Sequence, residues 1–495
     1  MSLNASDQAE RSNPSDASDA PEAPGASTAP TVYDALIIGG GPAGSAAAIT
    51  LRNAGRSVAV FEKAAFPRFH IGESMLPWTW RMLQDLGALD AVRQSPHVPK
   101  FGAQFAMGHT PDDVSHFDFD QCLFGQQHET FNIERRHLDT VLLNQARTAG
   151  ADVFENVSVT HIDKLEDGDV QLQLSSSVRA AGRWLIDASG QNTVVGRHLN
   201  LRQTFQHPQL QRVAYFEHFR HVHRDEGRRA GYISIVMCDE GWFWMIPVND
   251  EVMSVGLVID PQVAKACNTP ANQMLRWGIA RCPFVMNRMQ HATGPATNLV
   301  AADFTYTCKP YAGRGYFLTG DAARFLDPVF SAGVSLALSS GIDAAKAIDA
   351  LLANRAAAKP ARKAYIRQVT HDSKLMFSLL KLYYQHACRE LFMEGRGPFR
   401  MKEALLTILT ANHLPKTPWS VRWRYAAFRL CVALQRTGRL TPRRKPHALI
   451  DTPPAEMPKS MSSPVSLDAH GATHASDNGD GDGNGNIESA PELAL

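Results

Sequence analysis

The sequence has no CxxC cysteine pair, no long apolar run and almost no net charge. Its seven cysteines stand singly and are odd in number, which argues against a disulfide framework or a zinc site. No stretch approaches the ~18 consecutive apolar residues of a membrane-spanning helix. A formal charge of +1 over 495 residues gives no strong field for nucleic acid. We therefore expect a cytoplasmic protein with no metal site and no nucleic-acid partner.

Both ends of the chain are poor in large apolar residues. Residues 1–30 contain no aromatic side chain and lack the apolar core of a signal peptide. Residues 451–495 are similarly polar and rich in glycine, so we expect both segments to be disordered. Residues 480–487 fit the first half of an EF-hand loop, but Pro491 stands where that loop needs a bidentate glutamate. The tail is therefore not expected to bind calcium.

A dinucleotide-binding βαβ pattern begins just after residue 30. An apolar run at 33–38 leads into GxGxxG and a helix of small residues, and a second run at 57–61 is followed directly by an acid. Gly39 permits the tight turn, Gly41 lets the backbone approach phosphate, and Gly44 lets helix and strand pack closely. The amides at the helix start favour a pyrophosphate, and the acid can accept hydrogen bonds from a ribose. The predicted cofactor contacts are Gly39, Gly41, Pro42, Ala43, Gly44, Glu62 and Lys63.

The periodicity changes twice further along the chain. Alternating strands at about 200–300 predict an antiparallel sheet, in which 242–247 and 251–259 form a hairpin. From 341 to 450 apolar residues recur at helical spacing. We expect a nucleotide-binding domain over 31–340 that carries the inserted sheet, followed by a helical region. The clearest helical stretches are 344–352, 371–394 and the basic segment 419–445.

Three later segments resemble, in the same order, the FAD contacts of the hydroxybenzoate-hydroxylase-like flavoproteins. IERRHLD at 133–139 is similar to their VxRxxFD segment, WLIDASG at 184–190 to a strand entering a turn near the cofactor, and YFLTGDAA at 316–323 to the Gly-Asp element that meets the ribitol. The resemblance implies FAD rather than NAD. It also implies an α/β, Rossmann-like FAD-binding domain of the glutathione-reductase and hydroxybenzoate-hydroxylase type, with an antiparallel substrate sheet and a helical C-terminal part. The implied contacts are Arg135, Asp187 and Asp321.

Four segments resemble the flavin-dependent halogenases, particularly those that act on phenols and pyrroles. FPRFHIGESMLP at 66–77 is similar to their FPRxxIGESLLP, and WFWMIP at 242–247 matches their WxWxIP. VPKFGAQF at 98–105 is similar to KxGGxF, with alanine for the second glycine, and FLDPVFSAGV at 325–334 to the segment behind the Gly-Asp element. The resemblance implies a catalytic lysine, Lys100; further flavin contacts, Ile71, Gly72, Glu73 and Ser74; flavin-shielding residues, Trp242, Trp244, Ile246 and Pro247; halide-binding residues, Ser331, Ala332 and Gly333; and substrate-region residues, Pro328 and Phe330.

The resemblance also implies a reaction. Reduced FAD from a separate NAD(P)H-dependent flavin reductase would use oxygen to oxidise chloride or bromide, behind bulky indoles that keep the substrate away. Lys100 would capture the resulting hypohalous acid, because an ammonium can polarise it and an amine can form a haloamine. The acid would halogenate an electron-rich natural-product ring (phenolic, resorcinolic, pyrrolic or aryl-polyene), free or tethered to a carrier protein. Phe330 stands where tryptophan halogenases carry a glutamate, which argues against free tryptophan.

Plainer interpretations stay open beside this one. The segment before Pro77 also predicts a helix start capped by Ser74, and a tryptophan-rich strand is often core. An aromatic hydroxylase or a geranylgeranyl-reductase-like enzyme would share the fold, and a non-catalytic flavoprotein scaffold would share the cofactor. The segment 419–445 carries eight basic residues and no acid, so it could contact an anionic membrane or an acidic carrier protein. As plain structure, it is a helix with a solvated basic face.

Overall fold

The structure is a computed structural model that describes residues 31–461, apart from 125–126, 206–210, 303–304, 326, 355–357, 395–396, 411–416, 439 and 446. Two predictions concern segments outside these residues. They are the disorder of 1–30 and that of most of the C-terminal tail, which includes the calcium-loop-like stretch 480–487.

Within the described residues, the strands fall into two large sheets and two small ones. In chain order they are β1 (Val32–Ile38), β2 (Val58–Phe61), β3 (Val98–Lys100), β4 (Gly102–Met107), β5 (Val114–Asp118), β6 (Thr130–Asn132), β7 (Asp152–Phe154), β8 (Val159–Glu166), β9 (Asp169–Leu174), β10 (Arg179–Asp187), β11 (Arg202–Thr204), β12 (Val213–Arg220), β13 (Ile233–Met237), β14 (Gly241–Pro247), β15 (Val252–Ile259), β16 (Leu299–Ala301), β17 (Tyr306–Cys308), β18 (Tyr316–Leu318) and β19 (Arg324–Phe325).

The helices of the described chain are concentrated after residue 330. In chain order they are α1 (Pro42–Asn53), α2 (Pro77–Asp85), α3 (Leu89–Gln94), α4 (Arg135–Thr148), α5 (Val194–His198), α6 (Pro261–Ala266), α7 (Met274–Ile279), α8 (Pro283–Arg288), α9 (Gly320–Ala323), α10 (Gly333–Ala353), α11 (Ala358–Tyr383), α12 (His386–Met393), α13 (Met401–Thr410) and α14 (Trp419–Gln435).

The first sheet has the order β7-β2-β1-β10-β9-β8, with β18 paired to the second half of β10. The last four residues of its central strand β1 are apolar and buried, in a core cluster that also contains side chains of α1 and α4. The strands β1, β2, β10 and β18 run parallel, so their carboxyl ends meet at one edge of the sheet. This edge carries the glycine loop, Glu62, the turn after Asp187 and the Gly-Asp element, as a dinucleotide site requires.

The second sheet has the order β16-β12-β15-β14-β13-β4-β5 and is antiparallel except where β4 meets β13. The predicted hairpin is present, and the Asn249 side chain accepts the backbone N–H groups of Glu251 and Val252 in its turn. The predicted span of about 200–300 is too short, because β4 and β5 come from residues 102–118. The chain thus enters this sheet before it completes the first one.

The C-terminal helices cover one face of the second sheet. Buried side chains such as Leu380, Phe392 and Phe428 pack with Trp242 in one apolar cluster. The single helix predicted at 371–394 is wrong, since α11 ends at Tyr383 and α12 begins at His386 after Gln385 adopts an extended conformation. Helical periodicity continues across this break because both helices bury their apolar faces in the same cluster.

The chain beyond residue 447 packs against the other face of the second sheet. Leu449 and Met461 are buried, and Glu240 accepts the backbone N–H groups of Leu449 and Ile450. Arg276 also donates to the carbonyl oxygen of Met461, at 2.7 Å. The prediction of a disordered tail from 451 onwards is therefore wrong for residues 451–461. The polar composition of this segment gave no indication of the few contacts that anchor it.

The close approach of α1 and α10 gives a test of this packing. The substitution Gly341→Ala is expected to lower the free energy of unfolding by about 1–3 kcal/mol, because the added carbon would lie 2.2 Å from the carbonyl oxygen of Ala43. A lowered midpoint in urea or thermal unfolding checks this. Gly333→Ala at the start of the same helix meets no atom within 4 Å and serves as the control. Equal midpoints for the two variants would contradict the assigned packing.

Candidate active site

A cavity of about 900 Å³ lies between the carboxyl edge of the first sheet and the second sheet. At one end it is bounded by the glycine loop, Glu62 and Lys63, and at the other by Trp242, Trp244 and Phe330. Such a volume, with polar groups at one end and aromatic walls at the other, suits an organic cofactor and a small reactant.

The glycine loop is built as the sequence predicts. Gly39 has a φ of +100°, and a side chain on Gly44 would lie 1.9 Å from the carbonyl oxygen of Gly39. The α1 helix begins at Pro42, after the extended Gly41, so its free amides open towards the cavity. Glu62 lies on the wall, but its carboxylate already accepts N–H groups of Gly40 (2.7 Å) and Ala64 (3.0 Å). It therefore stabilises the loop itself, in addition to any contact with a ribose.

Two arginines border this end of the cavity. Arg135 forms a bidentate ion pair with Asp139, at 2.8 and 2.9 Å, and donates to the carbonyl oxygen of Ile71. Arg68, which the sequence analysis did not single out, lies on the wall beside Gly41 and stacks over Phe66. Its buried Nη1 lies 3.4 Å from Asp139 Oδ2 in an ion pair that lacks hydrogen-bond geometry. The only sequence signal for Arg68 is its place in the FPRxxIGES motif.

Asp187 and Asp321 differ in their relation to the cavity. Asp187 is fully buried behind the wall and accepts the N–H groups of Ser189 (3.0 Å) and Val195 (2.7 Å). The prediction that Asp187 contacts the cofactor is therefore wrong; it shapes the turn that does line the cavity. Asp321 lies on the wall as predicted, and desolvation raises the pKa of its carboxyl to about 6.

Glu73 on the cavity wall is paired with a histidine that the sequence analysis missed. The Glu73 carboxylate is 1% exposed, and its Oε1 lies 2.6 Å from Nε2 of His218 on β12. Burial alone would lower the pKa of His218, but the charge and hydrogen bond of Glu73 raise it to about 9. The other oxygen, Oε2, is buried and has no hydrogen-bond partner in the described chain. No local pattern could reveal this pair, because its members are 145 residues apart.

Lys100 lies immediately behind the cavity wall. It is 1% exposed, and its Nζ donates to Ser74 Oγ at 2.7 Å and to the carbonyl oxygen of Met75 at 3.0 Å. Desolvation lowers the pKa of the Lys100 amine to about 7. Ser74 itself lines the cavity. The capping role suggested for Ser74 is wrong, because α2 begins after Leu76 and has no side-chain cap.

The tryptophan strand β14 presents alternate side chains to the cavity. Trp242, Trp244 and Ile246 line it, whereas Phe243 and Met245 belong to the core on the opposite face. Pro247 follows the same alternation and does not line the cavity, so its predicted shielding role is wrong. Trp244 donates to Ser254 Oγ at 3.1 Å. Its ring lies over Gly256, where an added carbon would approach it to 2.2 Å.

The halide turn, which we define as residues 327–333, forms the remaining wall. Asp327 accepts the N–H of Val329, Ser331 adopts a left-handed conformation with a φ of +54°, and the 21-residue helix α10 begins at Gly333. All five predicted residues of this turn line the cavity: Pro328, Phe330, Ser331, Ala332 and Gly333. The start of a long helix favours a bound anion.

The basic C-terminal segment divides into a helix and an anchored tail. In α14, Tyr425 and Phe428 are buried, whereas Trp419 is 76% and Leu430 62% exposed. Arg444, after the helix, pairs with Asp113 at 2.7 Å. None of the helices in the described chain combines the length and apolar character needed to cross a bilayer. Contact of α14 with a membrane surface stays a prediction.

The described residues contain no disulfide bond and no cluster of metal-binding side chains. All seven cysteines fall within them and are free thiols. No group of three or more His, Cys, Asp or Glu side chains in that part of the chain is arranged to hold a metal ion.

The fold and cavity define a FAD-binding flavoprotein. The sequence model of the FAD binding domain family matches residues 32–365. The residues present fit this cofactor, because Glu73 Oε2 is a buried atom of a wall residue and has no hydrogen-bond partner in the described chain, so a polar ligand could supply one.

Relatives identify the family more closely. The chain is 30% identical over 377 residues to the 1H-pyrrole-2-carbonyl peptidyl-carrier-protein chlorinase of Pseudomonas fluorescens, which covers 71% of this chain and 84% of that protein. It is 30% identical over 394 residues to the tryptophan 2-halogenase of Chondromyces crocatus, which covers 76% of this chain and 74% of that protein. The chain belongs to the flavin-dependent halogenases. The predictions of family, fold class, enzyme type and FAD are thereby confirmed.

Solved structures agree with this assignment. The flavin-dependent brominase Bmp2 superposes with a TM-score of 0.72 at 27% identity, covering 83% of this chain and 100% of that one. A flavoprotein/dehydrogenase from Cytophaga hutchinsonii superposes with a TM-score of 0.73 at 26% identity, covering 82% and 99%. The fold is therefore shared with flavoproteins of other names, and the chemistry depends on the residues of the site.

The Glu73–His218 pair predicts a pH-dependent contribution to stability. The pKa of His218 is about 9 in the folded protein and about 6.5 unfolded, so its contribution is complete below pH 6.5 and is lost as the pH rises towards 9. The difference in free energy of unfolding between the parent and His218→Gln should shrink across this range, as measured by urea titrations at several pH values. The control is His161→Gln, which removes a largely exposed histidine outside the pair. A constant difference for His218→Gln would contradict the pair.

Proposed function

We propose that the protein halogenates an electron-rich aromatic ring, phenolic, resorcinolic or pyrrolic, with oxygen and chloride or bromide as co-substrates. Bound FAD, in its reduced form, would activate oxygen, and oxygen is the oxidant that converts halide to hypohalous acid while the flavin is oxidised and water is released. The observation that carries the proposal is that two tryptophans and Ser74 line the same cavity, and that a buried lysine with a pKa near neutrality donates to Ser74 from directly behind the wall.

The tryptophan wall separates reactants by size. Trp242 and Trp244 are 2% and 6% exposed, and each indole N–H has a hydrogen-bond acceptor that fixes its ring. An aromatic substrate cannot enter the space that these rings fill, whereas a halide ion is far smaller. This arrangement favours oxidation of halide over direct hydroxylation of the ring.

Lys100 and Ser74 form the group that would receive the hypohalous acid. With a pKa of about 7, Lys100 populates both ammonium and amine at neutral pH. Ser74 Oγ accepts from Lys100, so its own O–H is free to donate into the cavity. The ammonium can thus polarise the acid directly or through Ser74, and the amine can take up the halogen.

The halide turn would hold the anion. Backbone amides at Ala332 and Gly333 stand at the start of α10, whose dipole favours negative charge there. The left-handed conformation of Ser331 turns the chain sharply before the helix starts. Backbone amides hold the anion in this turn without a charged side chain. Either chloride or bromide can therefore be accepted.

The substrate class is supported by the aromatic end of the cavity. Phe330 packs edge-to-face on Tyr383 at 5.6 Å and offers an apolar surface in place of a carboxylate. Phenols and pyrroles are activated by their own heteroatoms and need less help from a carboxylate than an indole does. Among the relatives, the chlorinase from Pseudomonas fluorescens is named for a pyrrole on a peptidyl-carrier protein, which makes a tethered ring a further candidate.

Two partners complete the proposal. A separate NAD(P)H-dependent flavin reductase would supply reduced FAD, since the sequence has one glycine-rich dinucleotide loop. An acidic carrier protein, or an anionic membrane, would meet the outward face of α14, where arginines stand among exposed apolar residues.

The halogenation itself is directly testable. Purified protein with a flavin reductase, NADH, oxygen and bromide or chloride is expected to convert monochlorodimedone or a phenol to a halogenated product, detected by mass spectrometry. A pyrrole offered free and on a carrier protein distinguishes the two forms of substrate. Hydroxylated product alone, with halide present, would rule the proposal out in favour of an aromatic hydroxylase. Double-bond reduction alone would favour a reductase.

Lys100 can be tested separately from the flavin. Lys100→Met preserves most of the buried volume and is expected to consume oxygen while losing halogenated product at least about 100-fold, the usual scale for a proton-transferring group. The control is Lys402→Met, whose parent ammonium also donates to a serine hydroxyl (Ser115 Oγ, 3.3 Å) but lies off the cavity wall. Full halogenation by Lys100→Met would show that the lysine has no such role.

A further inference from the structure

Tyr384 lies between the tryptophan wall and the halide turn without lining the cavity itself. It follows directly after α11 and is 7% exposed. Trp242 Nε1 lies 3.1 Å from the Tyr384 hydroxyl, which in turn is hydrogen-bonded to Asp327 Oδ2. An indole N–H can only donate, so the tyrosine oxygen accepts from Trp242 and gives its one hydrogen to Asp327.

The hydrogen-bonded chain continues into the halide turn. The second carboxylate oxygen of Asp327 accepts the N–H of Val329 at 3.0 Å and closes the short turn Pro328–Phe330. Ser331 and the start of α10 follow directly. A single run of hydrogen bonds therefore connects the Trp242 ring with the backbone that precedes the predicted halide site.

Two guanidinium groups surround the centre of this chain. Arg212 lies 4.7 Å and Arg389 5.7 Å from the centroid of the Tyr384 ring. Burial raises the pKa of the Asp327 carboxyl, and the positive charge of the two guanidinium groups opposes this rise. Arg389 also donates to the carbonyl oxygen of Cys238 at the end of β13, so the second sheet holds this assembly in place.

We propose that Tyr384 is a positioning residue that holds the Trp242 ring and the halide turn in one fixed arrangement, so that the wall and the halide site work as a unit. This inference rests on the proposed function. Both ends of the chain, Trp242 and Asp327, lie on the cavity wall, whereas Tyr384 lies behind it. Loss of its hydroxyl should therefore affect the handling of halide and leave the distant glycine loop unchanged.

The neighbouring tyrosine provides a matched control. Tyr383 is fully buried one residue away, and its hydroxyl makes no hydrogen bond in the described chain. Tyr383→Phe and Tyr384→Phe therefore remove the same atom at similar depth, but only the second breaks the chain to Trp242 and Asp327.

The experiment compares the two variants as holoenzymes with a flavin reductase. For Tyr384→Phe, we expect the KM for bromide to rise about tenfold or more, the scale of one buried hydrogen bond, with a larger share of oxygen released as hydrogen peroxide. FAD affinity and kcat at saturating bromide should change less than the KM does. Tyr383→Phe should match the parent in all four quantities. Unchanged bromide KM and peroxide release in Tyr384→Phe, or equal changes in both variants, would overturn the proposal.

A second measurement does not depend on turnover. Bromide titrated into the oxidised holoenzyme at constant ionic strength is followed by flavin absorbance, with Trp242→Phe and the double variant included. If the hydrogen bond acts as proposed, the two single losses of bromide affinity are not additive in the double variant. Additive losses would overturn the proposal even if Tyr384→Phe is poorly folded. Failure of the parent to halogenate would instead count against the proposed function, and the titration would still decide the role of Tyr384.

Discussion

Residues 71–75 bond to several separate parts of the protein, and the cavity exists because they do. The backbone of Ser74 pairs with Asn132 in β6, and the carbonyl oxygen of Glu73 accepts the N–H of Ile133, the residue after β6. The Glu73 side chain binds His218 on the second sheet, and the Ser74 hydroxyl binds Lys100 at the end of β3. One short segment thereby connects the small sheet of β3 and β6 to the second large sheet and places the lysine beside the cavity wall.

These contacts explain how Lys100, Glu73 and His218 can be buried together, although burying any one of them alone would cost free energy. A buried lysine without a partner would be strongly destabilising, but Lys100 makes two hydrogen bonds and has a pKa near neutrality, so much of it can be neutral. Glu73 and His218 compensate each other's charge. The site therefore combines the Glu73–His218 ion pair with the titratable amine of Lys100. The two are held by adjacent residues of the same segment, Glu73 and Ser74.

Local sequence patterns predicted much of the fold and several of the residues that form the site. The glycine loop, the tryptophan strand and the halide turn are readable because each is contiguous in sequence and carries its own chemistry. His218 and Tyr384 were not predictable, because their importance comes from partners that lie 57 to 145 residues away in the sequence. Asp187 and Pro247 were assigned to the cavity because their segments resemble the flavoprotein and halogenase motifs. Burial and strand alternation direct them elsewhere.

The packing of the Trp244 ring against Gly256 limits which substitutions the tryptophan wall can accept. The glycine on β15 provides the space that the indole ring on β14 occupies, so the two positions are sterically one choice. A larger side chain at 256 is compatible only with a smaller one at 244, and a smaller residue at 244 leaves a void beside the glycine. The size of the side chain that the tryptophan wall can hold at position 244 thus depends on a residue with no side chain on the neighbouring strand.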